Sequence, residues 1–455
     1  VQDTSNATDL MAAQREVVDL TSGLIRIDTS NFGASADTVG EIDAAEWVAA
    51  QLSDVGLAPE VFTTTSARRG GVTLRIPGTD PTAPALLLHA HLDVVPAMAS
   101  DWSRDPFGGE VEDGFVWGRG AVDMLNLTSS MAVAFRHLAR SGFKPKGDLI
   151  YFGVADEEAG GVWGAEWMFD HHPEVIDATY CLTELGGWSS VDDHGHRHVT
   201  VNIGEKGLNW RRLRVKGTPG HGSMPFGADN ALIKAAEVIR RLTEYRPNPY
   251  LGETWKALVD TMSVPEELRR ALLDPGTVFD SIASLPTPVA RSCHALTHTT
   301  ISPNVAHGGQ KTNVIPDIVD IEVDIRTVPG TTKADVDAML TEAMGDLAAH
   351  VEMIDLQVGD ATQSPMDNDL WDSITKNTQI AYPGASMVPG LIVGGTDARF
   401  YRHRGRVAYG AGLFSPSMDF STFGSRFHGH DERIDVESLA LATDFWVNIA
   451  TDICG

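Results

Sequence analysis

The stretch Leu86-Leu87-Leu88-His89-Ala90-His91-Leu92-Asp93 reads as a short apolar strand that ends in a histidine and an aspartate. Its apolar run is strand-sized, and the groups at its carboxyl end are able to bind a cation. Two further runs repeat the pattern. Asp148 to Ala155 is followed by Glu157-Glu158, and Ala178 to Thr183 is followed by Glu184. Between the first two, Met131, Phe135 and Leu138 recur at helical spacing, and upstream Leu10 to Ile27 and Ala44 to Val55 also read as helices. Short apolar strands alternating with helices predict an α/β domain whose central sheet is covered on both faces.

Near Gly207 the pattern changes. Asn209 to Val215 alternates like a half-buried strand, and Leu232, Ala235, Ala236 and Ile239 mark an amphipathic helix introduced by Asp229. Strands are expected at Thr297 to Ile301, Ile318 to Val328 and Val351 to Val358, with a helix carrying Val336, Met339, Leu340 and Leu347 before the last. The order βαββαβ predicts an α+β domain of ferredoxin-like type, a small antiparallel sheet with two helices. Thr243 to Leu296, rich in Pro and Glu, reads as an insertion. After Gln363 the pattern returns to helix and Gly-rich loops. The expected division is therefore a discontinuous first domain, 1–206 and 363–455, with 207–362 inserted and 243–296 as an insertion within the insert.

The 455 residues fit two or three domains, and a hydrophobic share of 42% describes a globular chain. No apolar run approaches the roughly 20 residues of a membrane span. With 35 basic against 62 acidic residues the formal charge is −27, which argues against nucleic acid or an anionic membrane as partner. Cys181, Cys293 and Cys454 are scattered, and an odd count cannot form a complete disulfide framework. Val1 to Asp9 lacks the basic and apolar segments of a signal peptide, so a cytoplasmic location is expected.

His91, Asp123, Glu158 and Glu184 recur at spacings of 32, 35 and 26 residues, each matching one strand-helix unit. Such units return the chain to one edge of an open sheet, where ligands bind. Two glutamates directly after a buried strand need compensating positive charge. A histidine with several carboxylates is a suitable ligand set for Zn²⁺, Co²⁺ or Mn²⁺.

The segments Leu88 to Pro96, Trp117 to Met124, Asp156-Glu157-Glu158 and Phe427-His428-Gly429-His430-Asp431-Glu432 strongly resemble the M20 metallopeptidases. That family includes glutamate carboxypeptidase, aminoacylase, carboxypeptidase S and succinyl-diaminopimelate desuccinylase. The resemblance implies a di-zinc peptidase-type catalytic domain with a mixed central sheet, a lid domain, and a homodimer formed through that lid. It implies two divalent ions, Zn²⁺ foremost, bridged by Asp123, with His91 and Glu184 completing one site and Glu158 and His428 the other. Asp93 would hydrogen-bond and orient His91, and Glu157 would be the general base. His430 competes with His428 for its role, and the His-x-x-Asp-Glu register favours His428.

Gly217-Thr218-Pro219-Gly220-His221-Gly222-Ser223 looks like the family's lid motif, in which His221 would stabilise a tetrahedral oxyanion in the neighbouring subunit. Ser223 lacks the strand-Gly-x-Ser-x-Gly-helix setting of a serine hydrolase. Asn313 and Arg326 fall where the family places substrate-binding groups. Gly394-Gly395-Thr396-Asp397-Ala398-Arg399 resembles the loop before an arginine in aminoacylases and carboxypeptidases, making Gly395 and Arg399 candidate substrate contacts and Arg399 a carboxylate clamp. Glu184 resembles the carboxypeptidases and deacylases, where aminopeptidases carry Asp. Leu125 departs from the Lys of many relatives. His194, His196 and His198 read as an exposed turn. The expected activity is hydrolysis of an N-acyl amino acid or of a small peptide with a free carboxylate. The rivals are a dipeptidase or aminopeptidase, and a catalytically silent M20-fold binding protein.

Overall fold

The computed structural model describes residues 2–455, with side chains from residue 12 onward. Every residue of the strands Leu86–His91, Leu149–Val154 and Tyr180–Thr183 is buried. Apolar side chains alternating to both faces leave such strands no solvated side, so they take the middle of a sheet covered by helices. Leu86–His91 pairs in parallel with both of the others, and Val407–Gly410 extends the parallel set beside Tyr180–Thr183. Gly70–Ile76 joins antiparallel to Leu149–Val154, with Glu60–Thr63 outside it. The sheet is mixed, and its parallel strands end at one edge.

One face is covered by the helices Gln2–Ile25, Leu125–Arg140 and Val436–Cys454. Leu125–Arg140 is buried nearly all round. Phe135 on that helix stands edge-on to Tyr151 at 5.7 Å, and the Trp446 indole donates to Ser130 Oγ at 3.0 Å. On the other face Met168, Phe169, Ala398 and Tyr401 pack against Leu87, Ile150 and Phe152.

The chain divides into two compact units, one formed by 1–203, 364–390 and 396–455, the other by 204–363 with 391–395. In the second unit the strand order is Thr300–Gly308, Ile318–Thr327, Gly207–Lys216, Val351–Gly359, all antiparallel. Alternate residues of Gly207–Lys216 and Ile318–Thr327 are buried under the helices Ala231–Glu244 and Lys333–Met344, as an antiparallel sheet with one covered face requires.

One element differs from the sequence reading. The β-branched run Thr297 to Ile301 is split: a helix, Thr287–Thr297, begins with Pro288 in its first turn and occupies its start, and the strand runs from Thr300 to Gly308. That strand lies at the sheet edge and bulges after Pro303, which is where a residue without an N–H is tolerated. The segment read as an insertion holds three further helices, Glu253–Thr261, Glu266–Leu272 and Val278–Ala283. With Thr287–Thr297 they enclose a core of Trp255, Val259, Leu272, Val278, Ile282 and Cys293. All three cysteines are buried thiols. Among the described residues no helix is long and apolar enough to cross a membrane.

Asp444, in the last helix, is half-buried. It accepts from Gln14 Nε2 at 2.9 Å through Oδ2, while Oδ1 has no partner. Burial pushes its pKa from the ordinary 3.8 to about 6. A carboxyl that holds its proton more tightly when folded adds stability below its unfolded pKa, and this is lost as pH rises through the folded value. Asp444→Asn, which keeps the shape without the charge, is therefore expected to resist urea better than the parent at about pH 8. The difference should shrink toward about pH 4, where the parent carboxyl is protonated in the folded protein.

Candidate metal centre

His91 is the last residue of its strand. Its Nδ1 lies 2.8 Å from the Asp93 backbone carbonyl, which can only accept, so Nδ1 donates there and Nε2 is the nitrogen turned to the acids. Nε2 stands 3.2 Å from Asp123 Oδ1 and 3.6 Å from Glu184 Oε2. The Asp93 carboxylate is 3.7 Å from Nδ1 and does other work. Its two oxygens accept from the Glu157 and Glu158 amides at 3.2 and 3.1 Å and from Asn31 Nδ2 at 2.8 Å. Asp93 therefore holds His91 through its carbonyl and the two glutamates through its side chain, a second task that the sequence reading did not give it.

Asp123 also differs from expectation, because it follows no strand of the main sheet. It ends a loop between the short strand Phe115–Trp117, part of a separate three-stranded sheet, and the helix Leu125–Arg140. The loop is wound about one buried carboxylate. Glu432 accepts from Gly120 N at 3.1 Å, Val122 N at 2.6 Å, Asp123 N at 3.1 Å and the Arg119 guanidinium at 2.8 Å. Gly120 has φ +85°, and a Cβ there would meet Leu125 at 2.7 Å, so the winding requires glycine. The Asp123–Met124 peptide is cis.

Glu184 follows the strand Tyr180–Thr183 directly. His428, with φ 55°, follows the helix Phe420–Arg426 and stacks on Phe427 at 4.3 Å. Its Nε2 lies 2.9 Å from Asp123 Oδ2 and 3.3 Å from Glu158 Oε2. His430 faces the Trp102 ring instead, 6.5 Å away. Two overlapping trios result: His91, Asp123 and Glu184, and Asp123, Glu158 and His428. In each, one ligand atom per residue falls within 4.8 Å of the others. They share Asp123, and Glu157 stands beside both as a member of neither.

The electrostatics explain what such a cluster needs. Burial, then the charge of Asp123, pushes Glu184 up to about 8 and raises Glu158. Burial and the charge of Glu184 raise Glu157 well above the usual carboxylate range. Burial works against the His428 imidazolium, but hydrogen bonds to Asp123 and Glu158 push it up to about 10. For His91 likewise, the Glu184 charge and the Asp123 hydrogen bond overcome burial. Burial opposes the Asp123 carboxylate as well, yet the two histidines hold it below its usual range. Three raised carboxyls in one buried cluster call for positive charge beyond that of the two histidines. Glu158 Oε1 is buried with no hydrogen-bond partner, so an acceptor points into the cluster unsatisfied. Hard and borderline N and O donors in two trios, one of them with an orphan oxygen, fit a pair of divalent cations.

The other residues singled out in the sequence fall into two groups. Arg399 lies in the same unit. Its terminal nitrogens donate to the carbonyls of Thr396 and Gly160, both at 2.6 Å, which ties it to the turn carrying Glu157 and Glu158. His221, Asn313, Arg326 and Gly395 belong to the second unit. There His221 and Asn313 are neighbours: Gly220–His221 pairs with Val314–Ile315, and Gly222 N donates to the Asn313 carbonyl at 2.8 Å. Both side chains are exposed. Ser223 Oγ lies 2.7 Å from His221 Nδ1. Arg326 is paired with Asp324 at 2.8 Å. His194 and His196 are exposed, His196 bonding to Ser386, whereas His198 lies half-buried in the strand Arg197–Glu205 and bonds to Asp192, which departs from the exposed turn read there. The sequence reading gave no role to Asn31, Arg119 or Glu432, although Glu432 closes a quoted motif and is the most visible of the three.

The model for peptidase family M20/M25/M40 matches residues 87–452, and the chain belongs to that family. It is 28% identical to the N-fatty-acyl-amino acid synthase/hydrolase PM20D1 of Xenopus tropicalis over 97% of this chain and 87% of that protein. It is 28% identical to aminoacylase-1 of Sus scrofa over 82% and 81% of the two chains. Among solved structures, the M20 family metallo-carboxypeptidase Sso-CP2 of Sulfolobus solfataricus superposes with a TM-score of 0.71 at 18% identity, covering 96% of this chain and 99% of that one. The protein is accordingly a hydrolase of mixed α/β architecture.

If the two trios hold one ion each, metal analysis of the protein equilibrated with Zn²⁺ should return two ions per chain. Asp123→Ala is expected to lose both sites, whereas His428→Ala should lose one and keep the His91 site.

Proposed function

We propose that the protein hydrolyses the amide bond of an N-acyl amino acid, or of a small peptide with a free C-terminal carboxylate. The observation that carries this reading is the pair of donor trios sharing Asp123, with the unshared carboxylate of Glu157 beside them. His91, Asp123 and Glu184 would hold one ion, and Asp123, Glu158 and His428 the other. When bound, two divalent ions, Zn²⁺ foremost, lower the pKa of water and polarise a carbonyl.

The chain's own residues do the rest. Glu157, buried beside Glu184 and Glu158 but a member of neither trio, keeps its carboxylate for proton transfer. In this reading it takes the proton of the attacking water and hands it to the leaving nitrogen. The Asp93 carboxylate holds the Glu157 backbone while this proton moves. Arg399 uses one hydrogen of each terminal nitrogen on backbone carbonyls and retains others for a substrate carboxylate. Asn313, Arg326 and Gly395 are assigned to substrate contacts on the same family ground. His221 is assigned to the developing oxyanion of a partner subunit, which requires a homodimer; an active monomer by light scattering would remove that role.

The likeness to an N-fatty-acyl-amino acid synthase/hydrolase and to an aminoacylase supports N-acyl amino acids over free dipeptides. The test is a panel of N-acetyl and N-dodecanoyl leucine, phenylalanine and glutamate, their C-terminal amides, and unblocked dipeptides, run with Zn²⁺, Co²⁺ and Mn²⁺ before and after chelation. Turnover of the N-acyl acids but not their amides, abolished by chelation, is expected. Cleavage restricted to unblocked dipeptides would favour a dipeptidase, and a silent panel with two ions bound would favour a binding protein.

Glu157→Gln should retain both ions while kcat falls by about 10²–10⁴-fold. Arg399→Met should raise KM for N-acyl acids more than it lowers kcat, as measured by steady-state kinetics.

A further inference from the structure

Behind Glu157 and Glu158 lies a second group of charged side chains, of which Arg69 and Glu41 stand outside every quoted motif. Arg69 precedes the strand Gly70–Ile76, and its side chain is only 11% exposed. Its Nε stands 3.0 Å from Glu41 Oε2, and Nη2 lies 2.5 Å from Asp156 Oδ1. Both acids are buried. Asn31 Nδ2 reaches Asp156 Oδ1 at 3.4 Å and donates to Asp93 Oδ2 at 2.8 Å. Asp93 then accepts from the Glu157 and Glu158 amides. An unbroken series of contacts thus runs from Glu41 through Arg69, Asp156, Asn31 and Asp93 to the backbone of both glutamates.

Asp156 is also where the chain turns. It leaves the strand Leu149–Val154 with φ 74°, the left-handed region that a Cβ disfavours, and Gly160 and Gly161 continue the turn at φ 104° and 68°. Its side chain fastens that conformation on two sides, taking Arg69 on Oδ1 and Trp163 N at 2.9 Å on Oδ2. Were Arg69 absent, the buried carboxylates of Glu41 and Asp156 would lose their cation beside a third, Asp93. Only a planar fork reaches two acids at once, so lysine is an incomplete substitute.

We propose that Arg69 is a positioning residue: by pairing Glu41 and Asp156 it fixes the left-handed turn at Asp156 and so sets where the Glu157 and Glu158 side chains stand. This rests on the reading of Glu158 as ligand and Glu157 as base.

The test compares the full chain with Arg69→Met, Arg69→Lys and Asn31→Leu. Zn²⁺ affinity is measured by titration of the apoprotein, the Co²⁺ visible absorption spectrum is recorded after loading, and kcat and KM are measured with the fastest N-acyl amino acid of the panel. Arg69→Met should bind its weaker Zn²⁺ about 10–100-fold less tightly, show an altered Co²⁺ spectrum, and lose about tenfold or more in kcat with KM within about twofold. Arg69→Lys should fall between the two. Asn31→Leu cuts the series without unpairing Arg69 and should move every readout in the same direction, so it decides the matter if Arg69→Met does not fold. A merely structural role would lower the unfolding temperature and leave spectrum and kcat unchanged, and that result overturns the proposal. Parent protein that binds no Zn²⁺ would overturn both this proposal and the reading of the site, and the titration shows which case holds because it does not depend on turnover.

Discussion

Carboxylates cannot be crowded beneath a protein surface without a counter-charge. Two unit charges 4 Å apart at an effective dielectric of about 20 repel by about 4 kcal/mol, a large part of the net stability of a domain. This chain places Asp123 within 4.8 Å of Glu184 on one side and of Glu158 on the other, with Glu157 beside them. Two histidines face these acids, His91 from the main sheet and His428 from beyond the helix Phe420–Arg426. A pair of divalent cations would supply the counter-charge.

The scaffold meets the cost of crowding by assigning a separate device to each acid. Parallel strands bring His91 and Glu184 to the edge with little freedom of their own. Asp123 is presented by a loop wound on Glu432, and the two adjacent glutamates are held by their amides on Asp93. Asp123, Glu157 and Glu158 are thus each backed, through their amides, by a buried carboxylate of Glu432 or Asp93.

How much of this could be read beforehand follows from the same division. His91, Glu157, Glu158 and Glu184 were legible because a buried strand announces its own end, and a charged residue just beyond it has few other places to go. Asp123 was legible only through its motif, since its loop obeys Glu432 and no periodicity. Asp93 was read as a partner of His91, but its carboxylate's hold on the two glutamates was not legible, because a sequence does not separate a residue's carbonyl from its carboxylate. Arg69, Glu41 and Asn31 left no local signal, being joined only by tertiary contact. In the second unit the alternation of Gly207–Lys216 and Ile318–Thr327 was plain, whereas the β-branched run at Thr297 was shared between a helix and an edge strand that no propensity separates.

The winding of the Asp123 loop on Glu432 joins positions 309 residues apart. During synthesis the ribosome delivers the acidic edge long before the carboxylate that shapes its loop or the histidine that closes its second trio. A nascent chain therefore carries a half-built, negatively charged rim until His428 and Glu432 emerge, and the helix Val436–Cys454 follows directly behind them.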